Sequence, residues 1–391
     1  MNPLYLLTLA QALAACGSMT VVLLGGILGV KLAPSPALAT LAPALGIVGL
    51  AATTIPAAMA MQRWGRRPVM VAAALFASLA ACLAAVGVAR ESFLLLCLGC
   101  LGVGMHNAFV QQYRFAATEW VPAAEAGRAV STIMVGTLAA AFLSREVALL
   151  SENAWPGHQH AGSFLALAGL FLGTAALLLA LPSTRPISVV AGSEPVRSLR
   201  ELWAQPALRL AVVGSMTAWV TMSFIMTATP VSMHSIDGHD FKATTGVIQA
   251  HLLGMYVPAL FSAHVLRWLG VRGMMLAGCA LMAACIGIAA GNHHAVLHYG
   301  WALVLLGTGW NWLFVASTTL LTQAYRPAER FKVQALNEFA TFGAQAASSL
   351  FSAAALFAMG WSHLNLLMAP LLCLMVVLAL RMPASPARAT R

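Results

Sequence analysis

A chain of 391 residues with 60% hydrophobic and only 8% charged side chains cannot clothe a water-facing surface, because soluble domains carry about 25% charged residues. Its mean hydropathy of +0.84 and its recurring apolar stretches of roughly 20 residues, the length that crosses a hydrocarbon core of ~30 Å, exclude a soluble enzyme and point to an integral membrane protein. The net charge of +10 raises nucleic acid as a partner, and the placement of the charges excludes it.

The first predicted span, 4–30, has no basic segment before it and is long enough to cross a bilayer, so it reads as a retained helix rather than a cleaved leader. Further spans follow at 37–61, 68–89, 92–118, 128–151 and 162–181. A second set is expected at 206–235, 242–268, 272–290, 296–324, 331–358 and 362–381. The stretch 182–205 is polar, with three Pro and three Arg, and reads as a linker. The expected organisation is an N-terminal six-helix bundle over 1–181, a cytoplasmic linker over 182–205, a C-terminal six-helix bundle over 206–381 and a cytoplasmic tail over 382–391. The seven cysteines all fall inside apolar segments, which implies no disulfide framework.

With both termini inside, sixteen of the twenty-one Lys and Arg fall in cytoplasmic loops, helix ends or tails. Only Lys31, Arg90 and Lys242 fall outside, and Arg114 and Arg145 lie within spans. The positive-inside rule therefore sets the orientation, and the basic balance is a topology signal rather than a polynucleotide footprint. The halves also echo each other at an offset of 205: Leu101, Gly102, Gly104, Phe109, Val110 and Pro122 match Leu306, Gly307, Gly309, Phe314, Val315 and Pro327. In the loops after the second and eighth spans, Gly65 and Arg67 match Gly270 and Arg272. Parallel six-span repeats of this kind are those of transporter halves related by an axis along the membrane normal.

The loop Arg63, Trp64, Gly65, Arg66, Arg67 resembles the loop signature of the major facilitator superfamily, with Ala58 and Gln62 standing where that signature has a glycine and an acid. The resemblance implies an all-α membrane fold of about twelve transmembrane helices, two six-helix bundles around a midplane cavity, working by alternating access.

Ionisable groups within spans are expensive and are functional suspects by default. The fourth span places Asn107, Gln111, Arg114 and Thr118 on one predicted stripe, flanked by His106 and Gln112. The fifth carries adjacent Arg145 and Glu146, and the eleventh carries Gln334, Asn337, Glu338 and Gln345. Two readings are open: Arg114 or Arg145 paired with Glu146 or Glu338 as interhelical glue, or coupling and gating groups for substrate or protons.

The seventh span contains Met222-x-x-x-Met226, with Met233 seven residues later on the same predicted stripe, and the eighth contains His251-x-x-x-Met255. Counting from the outer ends puts Met226 and His251 at similar depth, with Met222 and Met255 roughly 6 Å further in. Thioether sulfur and imidazole nitrogen suit a soft ion, and methionine selects monovalent copper; ordinary packing by methionine is the alternative. The pairing resembles the metal motifs of CcoA-type copper importers of the superfamily. The resemblance implies import of copper, carried as substrate with no permanent cofactor, for assembly of cbb3-type cytochrome c oxidase. It also implies a bacterial inner-membrane location. The expected partners are the copper ion, the lipid bilayer, and cytoplasmic copper chaperones or exporters, without nucleic acid. Riboflavin transporters are close relatives in the superfamily and keep an organic substrate in play.

Eight of the eleven histidines fall in outer loops or outer helix ends. Short His tracts are commonly metal-binding. His158, His160, His234, His239, His293 and His294, with Met233, are therefore candidates for a relay that delivers copper to the midplane, against a plain loop-polarity reading. Cys97-x-x-Cys100 on the fourth span has a one-turn spacing that suits copper or a redox thiol pair, against the commoner reading of buried cysteines as packing. The run Gly309, Trp310, Asn311, Trp312 offers indoles that could stack on an organic ring system. Drug efflux is disfavoured because the run Gly136 to Ala140 lacks the Gly-x-x-x-Gly-Pro that such antiporters carry in the fifth span. No phosphate-binding loop or catalytic constellation appears, so no enzyme is expected.

Overall fold

Helix α1 (Pro3–Leu32) opens where Asn2 Oδ1 accepts the Leu4 amide at 2.9 Å and Pro3 occupies the first turn, where no amide is needed. Helices α2 (Leu41–Trp64) and α3 (Arg66–Ala89) follow and share Gly65 as their common cap, its φ of 84° lying in the region glycine tolerates. Ser92 caps α4 (Phe93–Val110). After α4 the chain tightens, with the Gln112 amide closing on Phe109 O at 3.0 Å, before α5 (Tyr113–Ala117). Then come α6 (Ala126–Ser151), α7 (Ala161–Leu179) and the short α8 (Leu199–Ala204), opened by a reciprocal Ser198–Glu201 capping box. The second half holds α9 (Pro206–Pro230), α10 (Phe241–Tyr256), α11 (Ser262–Ala290), α12 (Val296–Gln323), α13 (Arg330–Leu366) and α14 (Ala369–Arg381). This computed structural model describes residues 2–117, 120–122, 126–182, 197–291 and 295–382. Thr118, His293, His294 and most of the expected linker and tail lie outside them.

Among the described residues there is no strand, and ten helical stretches are long and apolar enough to cross a membrane. The expected twelve crossings are recovered from the breaks in these stretches. Pro258 ends α10 after sixteen residues, so the eighth crossing resumes in the first turns of α11. Gly270 (φ 67°, ψ 174°) then separates the eighth crossing from the ninth, and Gly360 (φ 78°) separates the eleventh from the twelfth.

Two predicted stripes are corrected. The turn at Gln111 and Gln112 interrupts the fourth-span row, so Asn107 and Arg114 do not share one continuous helical face. In the seventh span α9 gives way to a π-helical turn, Val231–Ile236. Pro230 has no amide to offer Met226 O, the ladder shifts to wider steps, and the 100° count from Met226 to Met233 fails.

The chain divides into two compact units. The first gathers Met1–Val189 with Thr227–Gln249 and Ser349–Phe357; the second gathers Val190–Met226, Ala250–Ser348 and Ala358–Arg391. In the first unit α4 packs against α2 and α3, α3 against α7, and α1 against α6. A core that includes Leu7, Tyr113, Ile133 and Leu178 holds them. Short polar groups tie the added segments in: Thr227 Oγ1 lies 2.7 Å from Ser349 Oγ, and Thr40 Oγ1 donates to Ser349 O at 3.2 Å. In the second unit α11 packs against α12 and α14.

Candidate functional site

The second unit carries both candidate solute sets. On α9, Met222 and Met226 stand one turn apart, each 6% exposed; on α10, His251 and Met255 stand one turn apart at 0% and 4%. Glycines bring α10 close to α12: a β-carbon on Gly307 would lie 2.7 Å from His251 O and 2.9 Å from Met255 N. That approach lets His251 Nδ1 reach Leu303 O at 2.8 Å. A carbonyl only accepts, so Nδ1 carries the proton and the neutral ring keeps its lone pair on Nε2. Nε2 is buried without a hydrogen-bond partner. The imidazole is thus a fixed, uncharged acceptor for a soft cation or for an N–H or O–H donor.

The second set is aromatic. Trp219 of α9 meets Trp310 of α12 edge-on at 4.8 Å, and Phe314 and Phe342 at 5.7 Å each. Trp310 lies nearly parallel to Phe314 (13°, 5.4 Å), and Tyr256 of α10 approaches Trp310 at 6.5 Å. The indole nitrogens of Trp219, Trp310 and Trp312 are buried donors without partners. Sequence reading singled out Trp310 and Trp312 but not Trp219, Tyr256, Phe314 or Phe342. A weak signal was present: Trp219 stands three residues before Met222, on the face already marked by the methionines. Beside the aromatic cluster α13 contributes Asn337, Thr341 and Gln345, with Gln345 Nε2 donating to Ser223 Oγ of α9 at 2.7 Å.

Arg145 pairs with its own neighbour Glu146 at 2.6 Å on α6, where Glu146 is 55% exposed. The Arg114 guanidinium lies over the Phe115 ring at 4.8 Å, and Glu338 is half-buried on α13. His106, 1% exposed, stands edge-on to Phe171 at 4.9 Å. Cys97 and Cys100 are buried free thiols.

Of the relay candidates, His158, His160, His234, His239 and Met233 lie among the described residues, in the first unit. In the first unit the Phe241 ring meets His160 at 4.9 Å and His234 at 6.3 Å. His234 Nδ1 is engaged by His239 O at 2.9 Å, and His158 faces Trp155 at 5.6 Å. Met233 is fully buried in the π turn. Among the described residues no three His, Cys, Asp or Glu side chains group as metal ligands. Burial pushes the His160 imidazole down to about 4; Glu152 opposes this, while Lys31 and His234 add to it.

Arg67 donates to Leu179 O at the end of α7, Arg66 reaches Met61 Sδ at 3.8 Å, and Arg63 lies over Trp64 at 5.4 Å. The repeat copies the first contact, with Arg272 Nη1 donating to Met382 O at 3.2 Å after α14. Such contacts satisfy the open carbonyls of a helix end.

The family model described as Major Facilitator Superfamily matches residues 7–347. The chain belongs to this superfamily. It is a multi-pass membrane transporter and not an enzyme. The riboflavin transporter RfnT of Brucella anthropi is 37% identical over 380 residues, covering 95% of this chain and 93% of its own. The uncharacterized MFS-type transporter YdeG of Bacillus subtilis is 26% identical over 345 residues, covering 85% of this chain and 80% of its own. The crystal structure of the nucleoside transporter NupG superposes with a TM-score of 0.76 at 14% identity, covering 98% of this chain and all of that one. A bacterial homolog of the human lysosomal transporter Spinster, inward-facing and occupied, gives 0.73 at 14%, covering 96% and 94%. At such identities the structural likenesses speak for the fold alone.

Proposed function

We propose that this superfamily member imports a flat heteroaromatic solute of the riboflavin class by alternating access, across the bacterial inner membrane, with both termini cytoplasmic. The observation that carries the reading is the 37% identity, over 380 residues, to a riboflavin transporter. The aromatic cluster of Trp219, Tyr256, Trp310, Phe314 and Phe342 supplies faces for such a ring, and the unpartnered indole N–H groups supply donors for its polar edge. Stacking of a base-like ring on an aromatic side chain is worth about 1–3 kcal/mol.

Copper, the expectation drawn from the Met and His pairs, stands as the second reading, favoured by the free Nε2 of His251 and by the burial of Met222, Met226 and Met255. The repeat adds support. The offset of 205 carries Val21 and Gly46 onto Met226 and His251, and a β-carbon on Gly46 would lie 3.3 Å from Val21 Cγ1. In the first half, therefore, the backbone place equivalent to one candidate ligand adjoins the side chain equivalent to the other.

The test is uptake of radiolabelled riboflavin and copper by cells producing wild type, Trp219→Ala or His251→Ala at matched protein level. The riboflavin reading expects riboflavin uptake by wild type and about a tenfold weaker apparent affinity in Trp219→Ala. Riboflavin uptake no greater than in empty cells, with copper uptake lost in His251→Ala, would replace it by the copper reading.

A further inference from the structure

Beside the aromatic cluster, α13 bears a row of oxygens that the fold leaves unmatched. Asn337, Thr341 and Gln345 follow at four-residue steps and so share a face; they are 7%, 2% and 5% exposed. Asn337 Oδ1, Thr341 Oγ1 and Gln345 Oε1 have no hydrogen-bond partner. A buried polar atom left unmatched costs about 1–3 kcal/mol. A row of three on one helix face is therefore a standing demand for hydrogen-bond donors.

Position ties this row to the ring site. Phe342, the residue after Thr341, meets Trp219 of α9 at 5.7 Å. One turn further along both helices, Gln345 Nε2 donates to Ser223 Oγ at 2.7 Å. The two helices thus pair aromatic with aromatic and then polar with polar. The second pairing occupies the Gln345 amide nitrogen and leaves its carbonyl oxygen as the open group. From Asn337 to Gln345 the row extends ~12 Å, with a step of ~6 Å between oxygens. That is the reach of a short hydroxylated chain attached to a ring lying on Trp219.

The chemistry of the row also excludes. Two of its three open atoms are amide oxygens, which accept and never donate. Hydroxyl groups satisfy them, whereas a phosphate ester would bring negatively charged acceptors against acceptors, a mismatch that rejects the wrong ligand. Glu338 stands next to Asn337 on the same helix, and Lys332, in the first turn of α13, is engaged with Arg197 O at 2.8 Å.

We propose that Asn337, Thr341 and Gln345 form a subsite for the polyol chain of a neutral flat-ring solute, and that they discriminate against its phosphate ester and against rings lacking the chain. This rests on the flavin-class reading given above. The test uses the purified full-length transporter in detergent, with quenching of flavin fluorescence as the binding signal for riboflavin, lumiflavin (methyl in place of the polyol) and flavin mononucleotide.

Wild type is expected to prefer riboflavin to lumiflavin at least tenfold and to leave the mononucleotide unbound. Thr341→Val and Gln345→Leu are expected to abolish that preference by weakening riboflavin alone, while Thr341→Ser, which keeps the hydroxyl, retains it. Size-exclusion profiles check that each variant is folded. Equal loss of riboflavin and lumiflavin in the variants, or a wild type that ignores the chain, would overturn the subsite while leaving the ring reading in place. Binding of none of the three by wild type would overturn both.

Discussion

The two halves build the same helix crossing twice and fill it differently. In the first, Gly49 of α2 and Gly104 of α4 bring backbone against backbone, and a β-carbon on Gly104 would collide with Gly46 O. In the second, Gly254 of α10 and Gly307 of α12 make a similar approach, an added β-carbon lying 2.7 Å from Val304 O and His251 O, although the repeat pairs Gly307 with Gly102 rather than Gly104. At the offset of 205, Gly46 becomes His251, whose ring bonds Leu303 O. At this place one crossing has a glycine against a neighbouring helix, while the other has a buried imidazole. Chemistry has been written into one copy of a scaffold whose other copy stayed plain.

The largest expected effect tests the tighter crossing. Gly104→Ala places a methyl against backbone that has no flexible end to yield, so it should abolish monodisperse protein in fluorescence-detected size exclusion. Gly307→Ala, with the looser contact, should fold with a lowered Tm. Equal behaviour would erase the difference between the crossings.

A middle effect separates two polar clasps, His160 against Phe241 in the first unit and Arg197 against Glu329 in the second. Burial lowers the His160 imidazole to about 4 from an ordinary 6.5, with Glu152 opposing and Lys31 and His234 reinforcing. Its contribution to stability is complete above 6.5 and is lost as pH falls through about 4. Thermal stability should decline over that window in wild type, and His160→Phe should flatten the decline.

The smallest effect belongs to the second clasp. Arg197 grips Glu329 through two bonds of 2.6 Å and holds its carboxyl down at about 2, with the Arg326 amide assisting. That contribution is complete above the ordinary carboxyl value near 4.5 and lost as pH falls through about 2. Because Arg197 is partly open to solvent, Arg197→Ala should lower Tm by only about 2 °C, and equally at pH 6 and pH 8.

Much of the architecture was legible because bilayer length and apolar runs leave few alternatives, and the twelve crossings fall close to their expected ranges. The Met and His pairs were legible as spacing, since a four-residue step stays on one face wherever a helix is regular. Met233 was misplaced because Pro230, plain in the sequence, changes the ladder beyond it. Trp219, Phe314 and Phe342 were missed for another reason: each is one large apolar residue on an apolar helix, and only the packing of α9, α12 and α13 makes them a group. The oxygens of Asn337 and Gln345 were visible as polar residues in a span, but their lack of partners is a property of tertiary structure.

The corner at Gly65 has one more consequence. Helices α2 and α3 meet there with a single residue between them, and Gly270 repeats the arrangement between the eighth and ninth crossings, each followed within two residues by an arginine bound to a distant helix end. A loop of one residue has no slack. Inserting or deleting one amino acid would swing the following helix by about 100° around its axis, turning its inward face sideways and pulling Arg67 or Arg272 off its carbonyl. Chain length at these two corners is therefore fixed, although the residues beside the glycines differ, Trp64 and Arg66 at one and Leu269 and Val271 at the other. Reporter tags and insertions in this transporter belong in other loops.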